Sequence, residues 1–115
     1  MALTITEKKA QNGVLIISAE GFIDTSTSSE LEDALKKAHA AGSPKIVVDL
    51  KGAEFISSSG WGALVAYLKR TRTAGGDIRL AAMVEKVDKV FRLMEFDSLI
   101  DAFPDIEAAV KSYGG

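Results

Sequence analysis

Apolar residues recur along the chain at a spacing that is typical of helices. Four segments carry apolar side chains at positions i, i+3, i+4 and i+7, which share one face of a helix. These positions are Leu31, Ala34, Leu35 and Ala38; Trp61, Leu64, Val65 and Leu68; Val87, Val90, Phe91 and Met94; and Ile106, Ala109, Val110 and Tyr113. The pattern therefore predicts four helices.

Short runs rich in β-branched residues flank these helical segments and predict five strands. The runs cover residues 3–7, 14–18, 45–50, 78–83 and 99–102. The first run alternates apolar and polar residues, as expected of a half-exposed edge strand. The third run is continuously apolar over residues 46–48, as expected of a strand that is covered on both faces.

The order of these elements indicates an α/β fold with a mixed sheet. The turn signal Asn12-Gly13 lies between the first two strands, which we expect to pair antiparallel. From the second strand onward strands and helices alternate, and this alternation requires parallel strands joined by right-handed helical crossovers. We therefore expect a sheet of about five strands, the first antiparallel and the rest parallel, with about four helices.

Residues that are typical of helix ends support these boundaries. Thr27 followed by Glu30 predicts a capping box at the start of the first helix, and Pro104-Asp105 predicts the start of the last one. No internal repeat or linker interrupts the chain. We therefore expect a single domain over residues 1–113 and a flexible tail at Gly114 and Gly115.

Composition and charge exclude several classes of function. A chain of 115 residues has room for one domain, and its 14 Lys and Arg against 16 Asp and Glu give a net charge of -2. This charge provides no positive field to hold nucleic acid. The chain has no cysteine and a single histidine, His39, which excludes disulfides, thiolate metal sites and most acid–base schemes. We expect no enzyme activity, no cofactor or metal, and no nucleic-acid partner.

The apolar runs are too short for membrane insertion. The longest one covers residues 63–68, far short of the roughly 20 residues that a membrane span requires. The amino terminus has no apolar segment ahead of a small-residue cleavage site, so it does not read as a secretory signal. We expect a cytoplasmic protein.

Three consecutive serines, Ser57, Ser58 and Ser59, stand where the second helix is predicted to begin. Serine is a favoured N-cap, so helix capping and close packing alone are one interpretation. A cap uses only one side-chain oxygen, however, and the other two hydroxyls are free for another role. A phosphate on one of them would meet unpaired backbone amides and the positive end of the helix dipole. A modification site is therefore the second interpretation.

Two motifs resemble those of STAS domains and, within that family, of the stand-alone anti-sigma factor antagonists. The first motif is Asp49-Leu50, then Phe55-Ile56, then Ser58-Ser59-Gly60-x-Gly62 at the start of a helix. The second is Gly21-Phe22-Ile23-Asp24, followed by Thr27 and Glu30-Leu31. The order of strands and helices also fits, so the resemblance covers nearly the whole chain.

The resemblance implies a switch protein. In its unphosphorylated form such a protein binds an anti-sigma factor that is also a serine kinase, and so frees a sigma factor. Phosphorylation releases it, and a serine phosphatase of the metal-dependent type resets it. The family's Asp-Ser-Ser-Gly falls on residues 57–60, which puts the phosphoacceptor at Ser58, with Asp24 expected to lie nearby. The implied partner-binding residues are Asp24, Ser57, Ser59, Gly60 and Trp61.

Two positions depart from the family's pattern. Ser57 stands where an acidic residue is usual, which keeps open an alternative: a STAS scaffold or regulatory subunit of a transporter or signalling complex that is never phosphorylated. Trp61 stands where an aliphatic residue is usual, and it serves either core packing or docking. Asp49 also has two interpretations, since it either bonds backbone amides of the serine loop or helps to hold the kinase's magnesium ion.

Overall fold

A mixed sheet with helices on both faces forms the fold. The computed structural model describes residues 2–114. The strands and helices are β1 (Leu3–Lys9), β2 (Val14–Ile23), α1 (Ser28–Ala40), β3 (Lys45–Asp49), β4 (Ala53–Ile56), α2 (Ser58–Thr73), β5 (Asp77–Ala81), α3 (Glu85–Leu93), β6 (Ala102–Phe103) and α4 (Ile106–Lys111). Short 3-10 helices occupy Gln11–Gly13 and Phe96–Ser98.

The strands described form one sheet in the order β1-β2-β3-β5-β6, and β4 pairs with β2 outside this path. β1 and β2 are antiparallel, whereas the other pairs are parallel. The α/β fold class predicted from the sequence is therefore confirmed, including the antiparallel first strand.

β4 is a strand that the sequence pattern does not predict. Only its first and last residues, Ala53 and Ile56, are buried. Buried and exposed positions therefore do not alternate, and the strand has no continuous apolar run. The strand forms because β2 is ten residues long and extends beyond its pairing with β3. Phe22 and Ile23, at the end of β2, pair with Phe55 and Ile56. This pairing brings the three serines at residues 57–59, the serine segment, beside the end of β2.

Several strand boundaries differ from the sequence prediction: β1 and β2 run on to Lys9 and Ile23, past their predicted ends, and two later strands are shortened or displaced. β5 ends before the predicted fourth strand does, because Ala82 adopts a left-handed conformation with φ 61° and turns the chain out of the sheet. The predicted fifth strand is displaced to β6, because the amides of Leu99 and Ile100 both donate to the Phe96 carbonyl oxygen. Local hydrogen bonds thus replace the predicted ladder.

The capping box predicted at Thr27 and Glu30 is wrong. Thr27 is the N-cap of α1, but its side chain does not cap the helix. Its Oγ1 instead donates to the Phe22 carbonyl oxygen at 2.6 Å and accepts from the Asp24 amide at 2.9 Å. The hydroxyl therefore stabilises the β2–α1 loop. α4 begins as predicted, with the Asp105 carboxylate as its N-cap.

Each face of the sheet has its own apolar core. α1, α2 and α3 cover one face, over a cluster that includes the fully buried Ile17 and Phe91. α4 covers the other face, where Val110 and the buried Val47 belong to a second cluster. This arrangement holds the first turn of α2 against the ends of β2 and β4.

Two further sequence predictions concern the flexible tail and the lack of a membrane-spanning segment. In the predicted tail, the Gly114 carbonyl oxygen accepts a 2.7 Å hydrogen bond from the Asn12 side chain, and Gly115 lies outside the described residues. Within residues 2–114, no helix combines the length and the apolar character that crossing a membrane requires.

Candidate functional site

The carboxyl ends of β2 and β4 meet the first turn of α2. The Ser57 amide donates a 2.7 Å hydrogen bond to the carbonyl oxygen of Ile23, which pairs with Ile56 across the parallel strands. Asp24 and Ser58 are the next residues after this junction, one on each segment. In α/β sheets, ligands bind beyond the carboxyl ends of the strands. The β2–α1 loop and the serine segment are therefore neighbours at the edge where binding sites are expected.

Ser57 uses its side chain as the N-cap of α2. Its Oγ accepts a hydrogen bond from the Gly60 amide at 3.3 Å, and its carbonyl oxygen accepts one from the Trp61 amide at 3.0 Å. Its backbone is extended, with φ -77° and ψ 170°, as is usual for an N-cap residue. One of the three serines is therefore used by the helix itself.

Ser58 and Ser59 are both exposed in the first turn of α2. Neither hydroxyl makes a hydrogen bond to another residue within the range 2–114. The backbone amides at the start of a helix have no intrahelical acceptor, so they face whatever occupies the space beyond the helix end. The Ser58 hydroxyl is thus accessible to an incoming enzyme, and the fold does not require it.

Gly60 and Trp61, which follow the serines in the first turn of α2, are both buried. A Cβ atom on Gly60 would lie 2.7 Å from Ile23 Cγ2 and 2.9 Å from Ile56 Cγ2, so only glycine lets the helix pack this closely on the strand ends. Trp61 is 3% exposed and packs against Phe91, which places it in the core. Its side chain reaches the surface only along the clefts that it lines.

Asp24 is turned toward its own loop. Its Oδ1 accepts hydrogen bonds from the Ser26 hydroxyl at 2.7 Å, the Ser26 amide at 2.9 Å and the Thr27 amide at 3.1 Å. The hydrogen bond from the Ser26 hydroxyl is the largest cause that lowers the pKa of Asp24 below its ordinary value, and the amides add to it. The loop therefore keeps a negative charge beside the serine segment at neutral pH.

Asp49 is buried at the carboxyl end of β3. Its Oδ1 accepts from the Lys51 amide at 3.0 Å, and its Oδ2 accepts from the Ser18 hydroxyl at 2.9 Å. The side chain is thus engaged with a backbone amide and a neighbouring strand. This geometry favours the first of its two interpretations, although the amide belongs to the β3–β4 turn rather than to the serine segment.

Two neighbouring clefts open beside the serine segment. The β4–α3 cleft, of about 320 Å³, is lined by residues that include Phe22, Glu54, Phe55, Trp61, Lys86 and Val90. The α2–α3 cleft, of about 330 Å³, is lined by residues that include Ser58, Trp61, Gly62, Val65, Val90 and Met94. Every residue that lines the α2–α3 cleft is uncharged.

Exposed apolar side chains lie on α3 and directly after it, and the sequence pattern did not predict their exposure. Val90 is 43% exposed, Met94 58% and Leu93 82%. Only Val87 and Phe91 of α3 are buried, so half of the apolar face predicted for this helix lies open. No local signal separates the open positions from the buried ones, because all of them share the same helical spacing.

Comparison with known proteins agrees with this architecture. The STAS domain family model matches residues 6–109. The anti-sigma-F factor antagonist RsfB of Mycobacterium tuberculosis is 31% identical over 103 residues, which are 83% of this chain and 83% of that protein. The crystal structure of an anti-sigma factor antagonist from Mycobacterium paratuberculosis has a TM-score of 0.87 at 25% identity, over 96% of this chain and 93% of that one.

A more distant structure shares the fold. SpoIIAA, an anti-sigma factor antagonist solved in its unphosphorylated form, has a TM-score of 0.75 at 16% identity, over 97% of this chain and 100% of its own. Bacillus SpoIIAA in its phosphorylated form has a TM-score of 0.72 at 16% identity, over 95% of this chain and 99% of its own. The family model spans most of the present sequence, and the sheet topology agrees with it. The chain therefore belongs to the STAS domain family, in which the relatives described here are named anti-sigma factor antagonists.

Proposed function

We propose that this chain is an anti-sigma factor antagonist whose binding is switched by phosphorylation at Ser58. In its unphosphorylated form it binds an anti-sigma factor that is also a serine kinase, and this binding frees a sigma factor. Phosphorylation releases the antagonist, and a serine phosphatase of the metal-dependent type restores the binding form. The names of its relatives support the class of function.

The state of the Ser58 hydroxyl carries the proposal for the modified residue. This hydroxyl is exposed and makes no hydrogen bond within residues 2–114, whereas the Ser57 hydroxyl caps α2. A kinase can therefore take up Ser58 without breaking a contact of the fold. Ser59 is also exposed, but the family's motif aligns the acceptor with Ser58.

The phosphotransfer requires only a nucleophilic oxygen from this chain. A bond forms between Ser58 Oγ and the γ-phosphorus of ATP, and the bond between that phosphorus and the β–γ bridging oxygen breaks. ADP leaves, and the hydroxyl proton passes to a base of the kinase. The catalytic groups thus belong to the kinase, and this chain acts as its substrate and its partner.

Phosphorylation is expected to change binding rather than the fold. A phosphate adds a charge of about -1.5 to -2, to a chain with a formal net charge of -2. On the first residue of α2, the amides and the helix dipole stabilise this charge locally. A partner surface that accepts the neutral hydroxyl would instead lose contact through repulsion and desolvation, and the nearby Asp24 carboxylate adds to the repulsion of an acidic surface.

Ser57 does not weaken the structural basis of this proposal. Aspartate and serine are comparable N-caps, and Ser57 performs this task with its own hydroxyl. The start of α2 is therefore formed without the family's acidic residue, and Ser58 remains exposed beside it.

Intact-mass measurement tests the proposal directly. The chain is incubated with ATP and, in turn, each purified serine-kinase anti-sigma factor encoded in its own genome. We expect the gain of one phosphate, which Ser58→Ala abolishes and the matched control Ser59→Ala retains. If no kinase adds a phosphate, the proposal is wrong, and the alternative is favoured: a STAS scaffold or regulatory subunit of a transporter or signalling complex.

A further inference from the structure

Gly62 lies in the exposed side of α2, and nothing within the described part of the chain requires a glycine there. Apart from its chain neighbours and the backbone of its own helix, a Cβ atom at this position would have no heavy atom within 4 Å, and the residue does not have a left-handed φ. Gly60 is the opposite case, because a Cβ there would approach two isoleucine side chains within 3 Å. The two glycines of the same helix therefore need different explanations.

A glycine inside a helix carries a cost in stability. It loses more backbone freedom on folding than alanine does, and it is the least favourable residue in a helix interior apart from proline. Packing within the chain explains this cost at Gly60 but not at Gly62. A close approach by a second molecule is the remaining physical reason for keeping position 62 free of a side chain.

Gly62 also lies one helical turn beyond Ser58. Residues i and i+4 share one face of a helix, so the exposed hydroxyl and the bare backbone are adjacent. Both line the α2–α3 cleft, together with Val90 and Met94, which are 43% and 58% exposed. A partner that covers Ser58 from the side of this cleft therefore also meets Gly62.

We propose that Gly62 is the point of closest approach between α2 and the anti-sigma factor, where an uncharged, apolar segment of that partner packs its main chain against the helix backbone. This inference rests on the proposed function and adds the surface that makes the contact. The α2–α3 cleft receives the side chains of that segment, and the absence of a Cβ at position 62 brings Ser58 within reach of the kinase's ATP.

The charge of the cleft determines this choice of occupant. Since none of its lining residues is ionisable, a charged segment would lose its hydration and find no counter-charge there. Exposed apolar side chains such as Met94 instead match the apolar centre of a protein interface. The charged side chains of the neighbouring β4–α3 cleft, Glu54 and Lys86, lie outside this lining.

Gly62→Ala separates binding from stability. Without a partner, this variant should melt roughly 4 °C higher than the natural chain, because alanine favours the helix and meets open space. Its affinity for the anti-sigma factor kinase should fall by about tenfold or more, because the added methyl group holds the two backbones apart. Titration calorimetry and thermal unfolding measure the two effects.

Ala66 supplies matched controls. It is exposed on α2 one turn beyond Gly62 and does not line the cleft. Ala66→Gly should lower the melting temperature by a similar amount and leave the affinity unchanged. Gly62→Gln should weaken binding further than Gly62→Ala, whereas Ala66→Gln should not weaken it.

The outcomes distinguish this inference from the function on which it rests. If the natural chain binds an anti-sigma factor kinase and Gly62→Ala binds it equally well, the inference is wrong and the proposed function stands. If the natural chain binds none of the purified kinases, the proposed function fails, and the assignment of Gly62 fails with it. A Gly62→Ala variant that melts lower would also overturn the inference, since position 62 would then serve the fold.

Discussion

The indole ring of Trp61 stacks on the ring of Phe96, with centroids 5.1 Å apart and 24° between the ring planes. It also contacts the ring of Phe91 at 5.6 Å. These contacts tie the start of α2, which carries Ser58, to α3 and to the segment that follows it. The indole Nε1 is buried and has no acceptor within residues 2–114. Position 61 therefore requires aromatic area rather than a hydrogen-bond donor.

Substitution of Trp61 tests this interpretation. Trp61→Ala should lower the free energy of unfolding by about 3–5 kcal/mol, because it removes packed ring area and leaves a cavity. Trp61→Phe should cost clearly less, since it keeps a ring and loses no hydrogen bond. Urea denaturation followed by far-ultraviolet circular dichroism measures both values. Equal losses in the two variants would contradict the stacking role.

The N-cap of α2 gives a second prediction. Ser57→Ala should lower the free energy of unfolding by about 1 kcal/mol, because the Gly60 amide loses its acceptor. Ser58→Ala should stay within about 0.5 kcal/mol of the natural chain, because its hydroxyl has no partner in the described residues. Chemical denaturation curves for the two variants give the comparison.

Ser57→Asp is the control for the cap. It introduces the acidic residue that is usual in the family, and aspartate caps helices about as well as serine. Its stability should therefore match that of the natural chain at neutral pH. A larger loss in Ser58→Ala than in Ser57→Ala would show that the two serines have exchanged roles.

The sequence showed that only one of the three serines is needed to cap α2, but it did not show which one. A single cap needs one oxygen, so two surplus hydroxyls could be predicted from Ser57, Ser58 and Ser59 alone. Which serine caps the helix depends on where α2 begins, and the bond from the Ser57 amide to the Ile23 carbonyl oxygen fixes that point. Ile23 lies more than 30 residues earlier in the chain, beyond the reach of local patterns.

The same limit explains the missed strand and the open face of α3. β4 is a strand because it pairs with the long β2, and the pattern of its own four residues does not predict this pairing. The periodicity of α3 correctly predicts a helix, but the sheet edge buries only Val87 and Phe91. The exposure of Val90 and Met94 follows from the tertiary arrangement and not from helix periodicity.

The β2–α1 loop gives a prediction that depends on pH. The pKa of Asp24 lies below its ordinary value of 3.8, chiefly because of the Ser26 hydroxyl. Ser26→Ala removes that hydrogen bond and should raise this pKa toward 3.8, while the amides of Ser26 and Thr27 hold it somewhat lower. A titration of the Asp24 carboxyl resonance by nuclear magnetic resonance measures the shift.

The same hydrogen bonds determine how pH changes the stability of the folded chain. A carboxylate with a lowered pKa stabilises the folded chain above the ordinary value, and this contribution is lost as the pH falls through the folded pKa. The loop should therefore loosen in acid in the natural chain and depend less on pH in Ser26→Ala. Thr25→Ala, next to Ser26, is the control and should leave the pKa of Asp24 unchanged. No movement of that pKa in Ser26→Ala would contradict the assigned bond.

A comparison of the two phosphorylation states by titration calorimetry against the cognate anti-sigma factor kinase tests the switch most directly. The unmodified chain should bind, and the form phosphorylated at Ser58 should bind at least about tenfold more weakly, a difference of about 1.4 kcal/mol. Ser58→Asp should reproduce part of this loss, and the melting temperature should stay nearly the same in all three forms. Equal affinity of the phosphorylated and unmodified chains, or a large fall in melting temperature on phosphorylation, would contradict a switch that acts at the binding surface.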